Sequence, residues 1–232
     1  MDSKDILELA GNFVTTLLGV GLGAWLAFKI DRRKSREERE LAERNRRDEE
    51  SARRASAVNL AIHQLSRMYS AMMQFRNEVV DPMRKSPAAW YEMPPTDIYC
   101  GGRIELEFSS LQFLFSSSDP GIMAMLAMEE TRFANLVLLV NRRNAMHLDQ
   151  LQPMQERKGL EGSAELGAIE KALGPRIVSS MKSYTGPIIE FTDRGVVSVL
   201  QVINALRAAA LPMIDGNKLI AIETLPEKAR QG

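Results

Sequence analysis

Apolar residues fill positions 9–30 almost without interruption, as LAGNFVTTLLGVGLGAWLAFKI, and charged residues fill positions 31–54 almost as completely. A helix of about 20 apolar residues crosses the hydrocarbon core of a bilayer, and here only Asn12, Thr15, Thr16 and Lys29 interrupt the run. The pattern changes again after residue 54. Val58, Ala61, Leu65, Met68, Met72, Phe75 and Val79 recur in steps of three and four, the seam of a helix that packs on others. Neither glycine nor proline occurs from Ala24 to Asp81, so a helix leaving the membrane meets no stop before Pro82. The expected architecture is all-α: a transmembrane anchor over 1–30, a charged helical stalk over 31–54, and a cytosolic helical bundle over 55–232.

Within the body, SPAAWYEMPPTDIYCGG reads as a loop, because Pro87, Pro94, Pro95, Gly101 and Gly102 break any period. Residues 103–115 read as a helix with Ile104, Phe108, Leu111 and Phe115 on one side, or as a strand. Ser117-Ser118-Asp119-Pro120 starts a helix, with Asp119 as cap and Pro120 in the first turn, and Pro153 ends it near Gln152. Ser163 with Glu165, Gly174-Pro175 and Gly186-Pro187 punctuate the segments after it. Residues 196–210 form a buried amphipathic helix, with Gln201, Asn204 and Arg207 on its polar side. After Pro212 the tail adds a short strand or a packed extended piece.

The flanks of the apolar run set its orientation. Asp2, Lys4, Asp5 and Glu8 precede it, whereas Lys29, Arg32, Arg33, Lys34, Arg36 and Arg39 attend its far end. Excess Lys and Arg marks the cytoplasmic side, which places the N-terminus outside and the body inside a bacterial inner membrane. A cleaved signal peptide would want a basic start, a shorter apolar core and small residues where Trp25 and Phe28 stand. Gly11, Thr15, Gly19, Gly23 and Ala27 recur every four residues, a pattern that lets helix backbones approach closely in lipid and favours a homo-oligomer. Between Asp31 and Arg54 only Leu41, Ala42 and Ala52 are apolar, so the stalk has no stripe to bury. Its helicity is expected from i,i+4 pairs such as Lys34–Glu38, Arg36–Glu40, Arg39–Glu43 and Glu43–Arg47, at about 0.2–0.5 kcal/mol each. Interleaved acids disfavour a nucleic-acid-binding arm, while the proximal bases suit anionic lipid head groups.

The 30 basic residues balance the 30 acidic ones. A single Cys100 permits no internal disulfide, and with only His63 and His147 besides, a Cys/His zinc site is excluded. No Walker A, GxSxG or HExxH motif occurs, and no metal or other cofactor is expected. One constellation bears chemistry: Asn141-Arg142-Arg143-Asn144-Ala145-Met146-His147. Continuing the apolar stripe Phe133, Val137, Val140 by heptads places Asn144 and His147 on the face to be buried. Buried polar groups need a partner or a function. One reading is a hydrogen-bonded core pair beside a helix C-terminus, where Arg142 and Arg143 suit the dipole.

The other reading comes from a resemblance. Arg142-x4-His147 resembles the RNA-cleaving motif of the HEPN family, all-helical domains that dimerise so that two motifs form one site. The resemblance implies His147 as general acid/base and Arg142 as stabiliser of the phosphate oxyanion, with Asn144 beside them and RNA as substrate. The layout of anchor, stalk and helical body also resembles the membrane accessory proteins of type VI CRISPR systems and other anti-phage effectors, as well as bacterial single-pass proteins with a helical cytosolic domain. The functions left open are a membrane-tethered interaction or signalling module, an oligomeric effector that permeabilises or depolarises the membrane, and a membrane-anchored ribonuclease. The lipid bilayer is a partner in all three; nucleic acid is one only in the last.

Overall fold

The computed structural model describes residues 3–98, 102–117, 119–158, 166–214 and 219–220, with backbone alone for 3–24, 26 and 27. Every regular element among them is helical, and no strand occurs among the described residues. The chain divides into two compact units, Met1–Ser51 and Ala52–Gly232. Helix α1 is Ser3–Phe75 and so contributes to both.

In the first unit every described residue is helical. The glycine stripe Gly11, Thr15, Gly19, Gly23 and Ala27 lies outside the residues whose side chains are described. From residue 28 nearly every side chain is exposed, as the absence of an apolar stripe requires. The membrane-proximal part of the expected ladder is not formed: among the described residues no ion pair closer than 4.0 Å joins residues 31–49. An exposed pair gains so little over side-chain entropy that both partners remain in water. What keeps the segment helical is the run without glycine or proline, rich in Glu and Arg, both good helix formers.

The second unit is built on three long helices. All seven seam residues, six on α1 from Val58 to Phe75 and Val79 in the turn that follows it, are buried in one core. Helix α4 (Ile122–Met146) lies along α7 (Pro175–Ala210), and α7 supplies Ile188, Val199, Ile203 and Leu206 to the same core. Gln201 and Asn204 face solvent, as the pattern of residues 196–210 requires. A second, smaller cluster joins Trp90, Leu151, Ile169, Leu173, Val178 and Met181. Among the described residues α7 with its last turn, Pro175–Met213, is the one helix long and apolar enough to cross a membrane, and its apolar side is spent on these cores. The span expected at residues 9–30 is helical, and most of its side chains lie outside the description.

Pro82 stops its helix within one residue, at Met83, whereas Pro153 and Pro187 do not stop theirs. Residues Arg76–Val80 form a π turn, after which α2 (Asp81–Met83) continues through Pro82. Residues His147–Leu151 form another, after which α5 (Gln152–Lys158) continues through Pro153. In both, a π turn widens the helix just ahead of the proline, where its ring would otherwise meet the carbonyl four residues back. Gly186-Pro187 sits inside α7 without ending it. There Thr185, Ile188 and Thr192 are buried around the proline, and packing on both sides outweighs a proline cost of about 3 kcal/mol. Gly174 does end a segment: its φ of +83°, open to glycine, turns the chain from α6 (Leu166–Leu173) into Pro175 at the start of α7.

Three further expectations need correction. The loop after Pro87 holds a one-turn helix, α3 (Ala89–Glu92), and buries Trp90, Met93 and Ile98. Residues 103–107 are neither helix nor strand, and Phe108–Ser116 is a 3₁₀ helix whose tighter turn buries Leu111 and Leu114 and leaves Phe115 exposed. Helix α4 starts two residues later than Pro120. Asp119 caps no helix and instead accepts the Gly121 N–H at 3.0 Å, an Asx turn.

Candidate functional site

The buried stripe of α4 runs Leu126, Glu129, Phe133, Leu136, Val140 and Arg143, in steps of three and four, and reaches half-buried His147. Two of its members are charged. Arg143 is 1% exposed, the largest fully buried side chain among the described residues. Its Nε donates to Thr185 Oγ1 at 3.3 Å, its Nη2 to the Trp90 carbonyl at 3.3 Å and to that of Met93, and its Nη1 to the Pro94 carbonyl at 3.5 Å. Thr185 can accept because its own hydroxyl donates back to the Met181 carbonyl at 2.9 Å. No carboxylate pairs with Arg143 among the described residues, and burial pulls its guanidinium down to about 10. It therefore remains a cation, satisfied by carbonyls at and just beyond the C-terminal, electronegative end of α3.

Asn144 extends the fastening. Its Nδ2 donates to the Thr96 carbonyl at 3.2 Å and to Asp97 Oδ1 at 3.3 Å. Arg143 and Asn144 together pin residues 90–97 across the end of α4. His147 opens the π turn one helical turn beyond Arg143. Its Nδ1 is buried without a hydrogen-bond partner, as is the Trp90 Nε1. Burial first, and the charge of Arg143 second, hold the His147 imidazole below its ordinary 6.5.

These positions revise the predicted trio. Arg142 is exposed, and the structure does not bring it to His147; the neighbour of His147 on the helix face is Arg143, four residues back. Asn144 and His147 are half-buried. The heptad continuation from Val137 led to Asn144, one position away from Leu136 and Arg143, which the structure buries. The available signal was the spacing itself: Glu129, Leu136 and Arg143 are heptad-related to each other.

Glu129, 4% exposed, forms a second polar centre that sequence reasoning missed. Arg132 Nη1 donates to its Oε1, the Ser198 hydroxyl donates to its Oε2 at 3.0 Å, and Arg132 also reaches Ser198. This ties α4 to α7. A third centre lies at the surface, where Arg84 grips Asp193 with two bonds of 2.8 and 2.7 Å and Asp81 with another of 2.9 Å.

The concave surfaces lie elsewhere. An open groove of about 710 Å³ runs between residues 103–106 and α4, floored by Phe133 and Val137, and Glu130 on its wall accepts the Leu106 N–H at 2.9 Å. A shallower one of about 380 Å³ follows the same helix past Met128 and Arg132 to Phe191. Neither contains Arg143, Asn144 or His147. Among the described residues no group of three or more His, Cys, Asp or Glu side chains could hold a metal ion. The arrangement defines an all-helical protein whose most unusual polar residues fasten its own chain. No protein-family model, curated protein or solved structure matches it.

Proposed function

We propose that this chain is a membrane-anchored helical interaction module, held by residues 9–30 with its N-terminus outside, its body cytoplasmic, and its anchor helices associating through the Gly11, Thr15, Gly19, Gly23 and Ala27 face. One observation carries the choice of a binding role over catalysis: Arg143, the arginine on the same helix face as His147, is 1% exposed and gives four of its five N–H donors to three backbone carbonyls and the Thr185 hydroxyl, so it is not placed to hold a phosphate. The apolar run and its asymmetric basic flank support the anchor. Gly19→Ile is expected to weaken self-association in detergent, since β-branched bulk holds the backbones apart. Unchanged size and cross-linking would remove that interface.

A membrane-tethered ribonuclease is the second reading, favoured by one feature: His147 carries a buried, unpartnered Nδ1 and is held neutral near pH 7. Expressing the chain while following total RNA and membrane potential separates the readings. The interaction module leaves both unchanged. RNA loss with the natural chain but not with a folded His147→Ala variant would establish the ribonuclease, and depolarisation would establish an effector that acts on the membrane itself.

A further inference from the structure

At the membrane-proximal end of the described side chains, large apolar groups and bases share one stretch of α1. Trp25, Phe28 and Ile30 are 57%, 65% and 55% exposed, unusual for such residues on a solvated helix. Lys29 Nζ lies 4.8 Å from the centre of the Trp25 ring. Lys29, Arg32, Arg33, Lys34 and Arg36 are all exposed, with Asp31 as the single acid among them. Among the described residues no ion pair joins any of these five bases. Helical spacing places Trp25, Lys29, Arg32 and Arg36 along one side, so the ring and the bases face the same surroundings.

We propose that residues 25–36 form a collar that binds the head groups of anionic phospholipids, with Trp25, Phe28 and Ile30 at the acyl boundary and the five bases on the phosphates. Charge complementarity selects this occupant: net charge +4 over residues 29–36 faces a negative leaflet, and the unpaired state of the bases leaves their donors free. Exposed apolar side chains among the bases separate a bilayer from a nucleic acid, whose phosphate surface would gain nothing from Phe28 or Ile30. Trp25 with Lys29 is the expected interfacial pair, an amphipathic ring at head-group level and an ammonium reaching outward. The collar rests on the anchor reading and adds the lipid class to it, and its test separates the two.

The full-length chain is added to vesicles of phosphatidylcholine alone and to vesicles with a third phosphatidylglycerol, at low and high salt, and the bound fraction is measured by co-flotation. Stronger partitioning into the anionic vesicles is expected, screened by salt, with about fivefold lost for each base changed to Gln among Lys29, Arg33 and Arg36. Circular dichroism checks that the variants remain helical. Equal binding to both vesicle types, unaffected by the Gln substitutions, would overturn the collar and leave the anchor standing. Binding to anionic vesicles alone would retain the collar and remove the anchor. Tighter retention by single-stranded RNA than by the anionic vesicles, insensitive to Phe28→Ser and Ile30→Ser, would assign the patch to nucleic acid and overturn the proposal.

Discussion

Replacing Arg143 by methionine keeps much of the bulk and removes the donors of four acceptors together: the Trp90, Met93 and Pro94 carbonyls and the Thr185 hydroxyl. Carbonyls buried without a donor keep their full desolvation cost, so Arg143→Met should lower stability by about 3–5 kcal/mol in urea denaturation. Arg143→Lys should recover little, because a compact ammonium cannot reproduce the planar fork. An effect below about 1 kcal/mol would show that residues 90–97 are held by Trp90 and Met93 packing instead. Acid titration tests the neighbours. His147 has its folded pKa below 6.5, so the unfolded chain binds protons first and stability falls as pH drops below about 6.5. Asp193 is held below 3.8 by its bonds to Arg84, and its contribution, complete above that value, is lost as pH falls through the lower folded value. His147→Leu should flatten the first of these two declines and leave the second. A decline unchanged in that variant would place the upper titration elsewhere.

Among the elements, α7 packs against α3, α4 and α6, and at Gly195 it closely approaches Met72. A Cβ there would stand 2.5 Å from Met72 Sδ and 3.2 Å from Met72 Cε, and Met72 is itself 1% exposed. Alanine improves helix propensity by about 1 kcal/mol but overpacks a closed core by about 1–3 kcal/mol. Gly195→Ala is therefore expected to be net destabilising, by about 1 kcal/mol, and Met72→Ala in the same chain should reverse part of the loss. Independent, additive effects in that double-mutant cycle would show that Met72 has room to move. The two π turns are the other element-scale feature. Each ends two residues before a proline, at Pro82 and Pro153; after the first the helix ends at Met83, and after the second it continues to Lys158.

At the scale of the molecule, the unit Ala52–Gly232 contains both hydrophobic clusters found among the described residues. Residues 52–232 expressed alone should unfold cooperatively and stay out of the membrane fraction, while the full chain enters it. A body that unfolds without cooperativity would mean that residues 1–51 contribute to its stability. A reporter fused after Gly232 should behave as cytoplasmic, and a periplasmic signal would reverse the orientation argument from Lys29 to Arg39.

The linear pattern determined the all-helical class, the buried seam from Val58 to Val79 and the polar side of residues 196–210, because helix periodicity and burial both follow from the spacing of apolar residues. It also located the polar stretch 141–147, since asparagine and histidine among valines are conspicuous at any register. It could not assign the buried position within that stretch. Apolar spacing allowed Val137 with Asn144 or Leu136 with Arg143, and the second choice places two charges inside, Glu129 with a local partner in Arg132 and Arg143 with distant partners alone. Thr185 and Ser198 on α7 and the carbonyls of residues 90–94 bond to these charges, and they lie 42 to 69 residues away in the chain. Prolines misled for the same reason. A proline's cost is local and readable, whereas the burial of Thr185, Ile188 and Thr192 that offsets it at Pro187 exists only once α7 is packed.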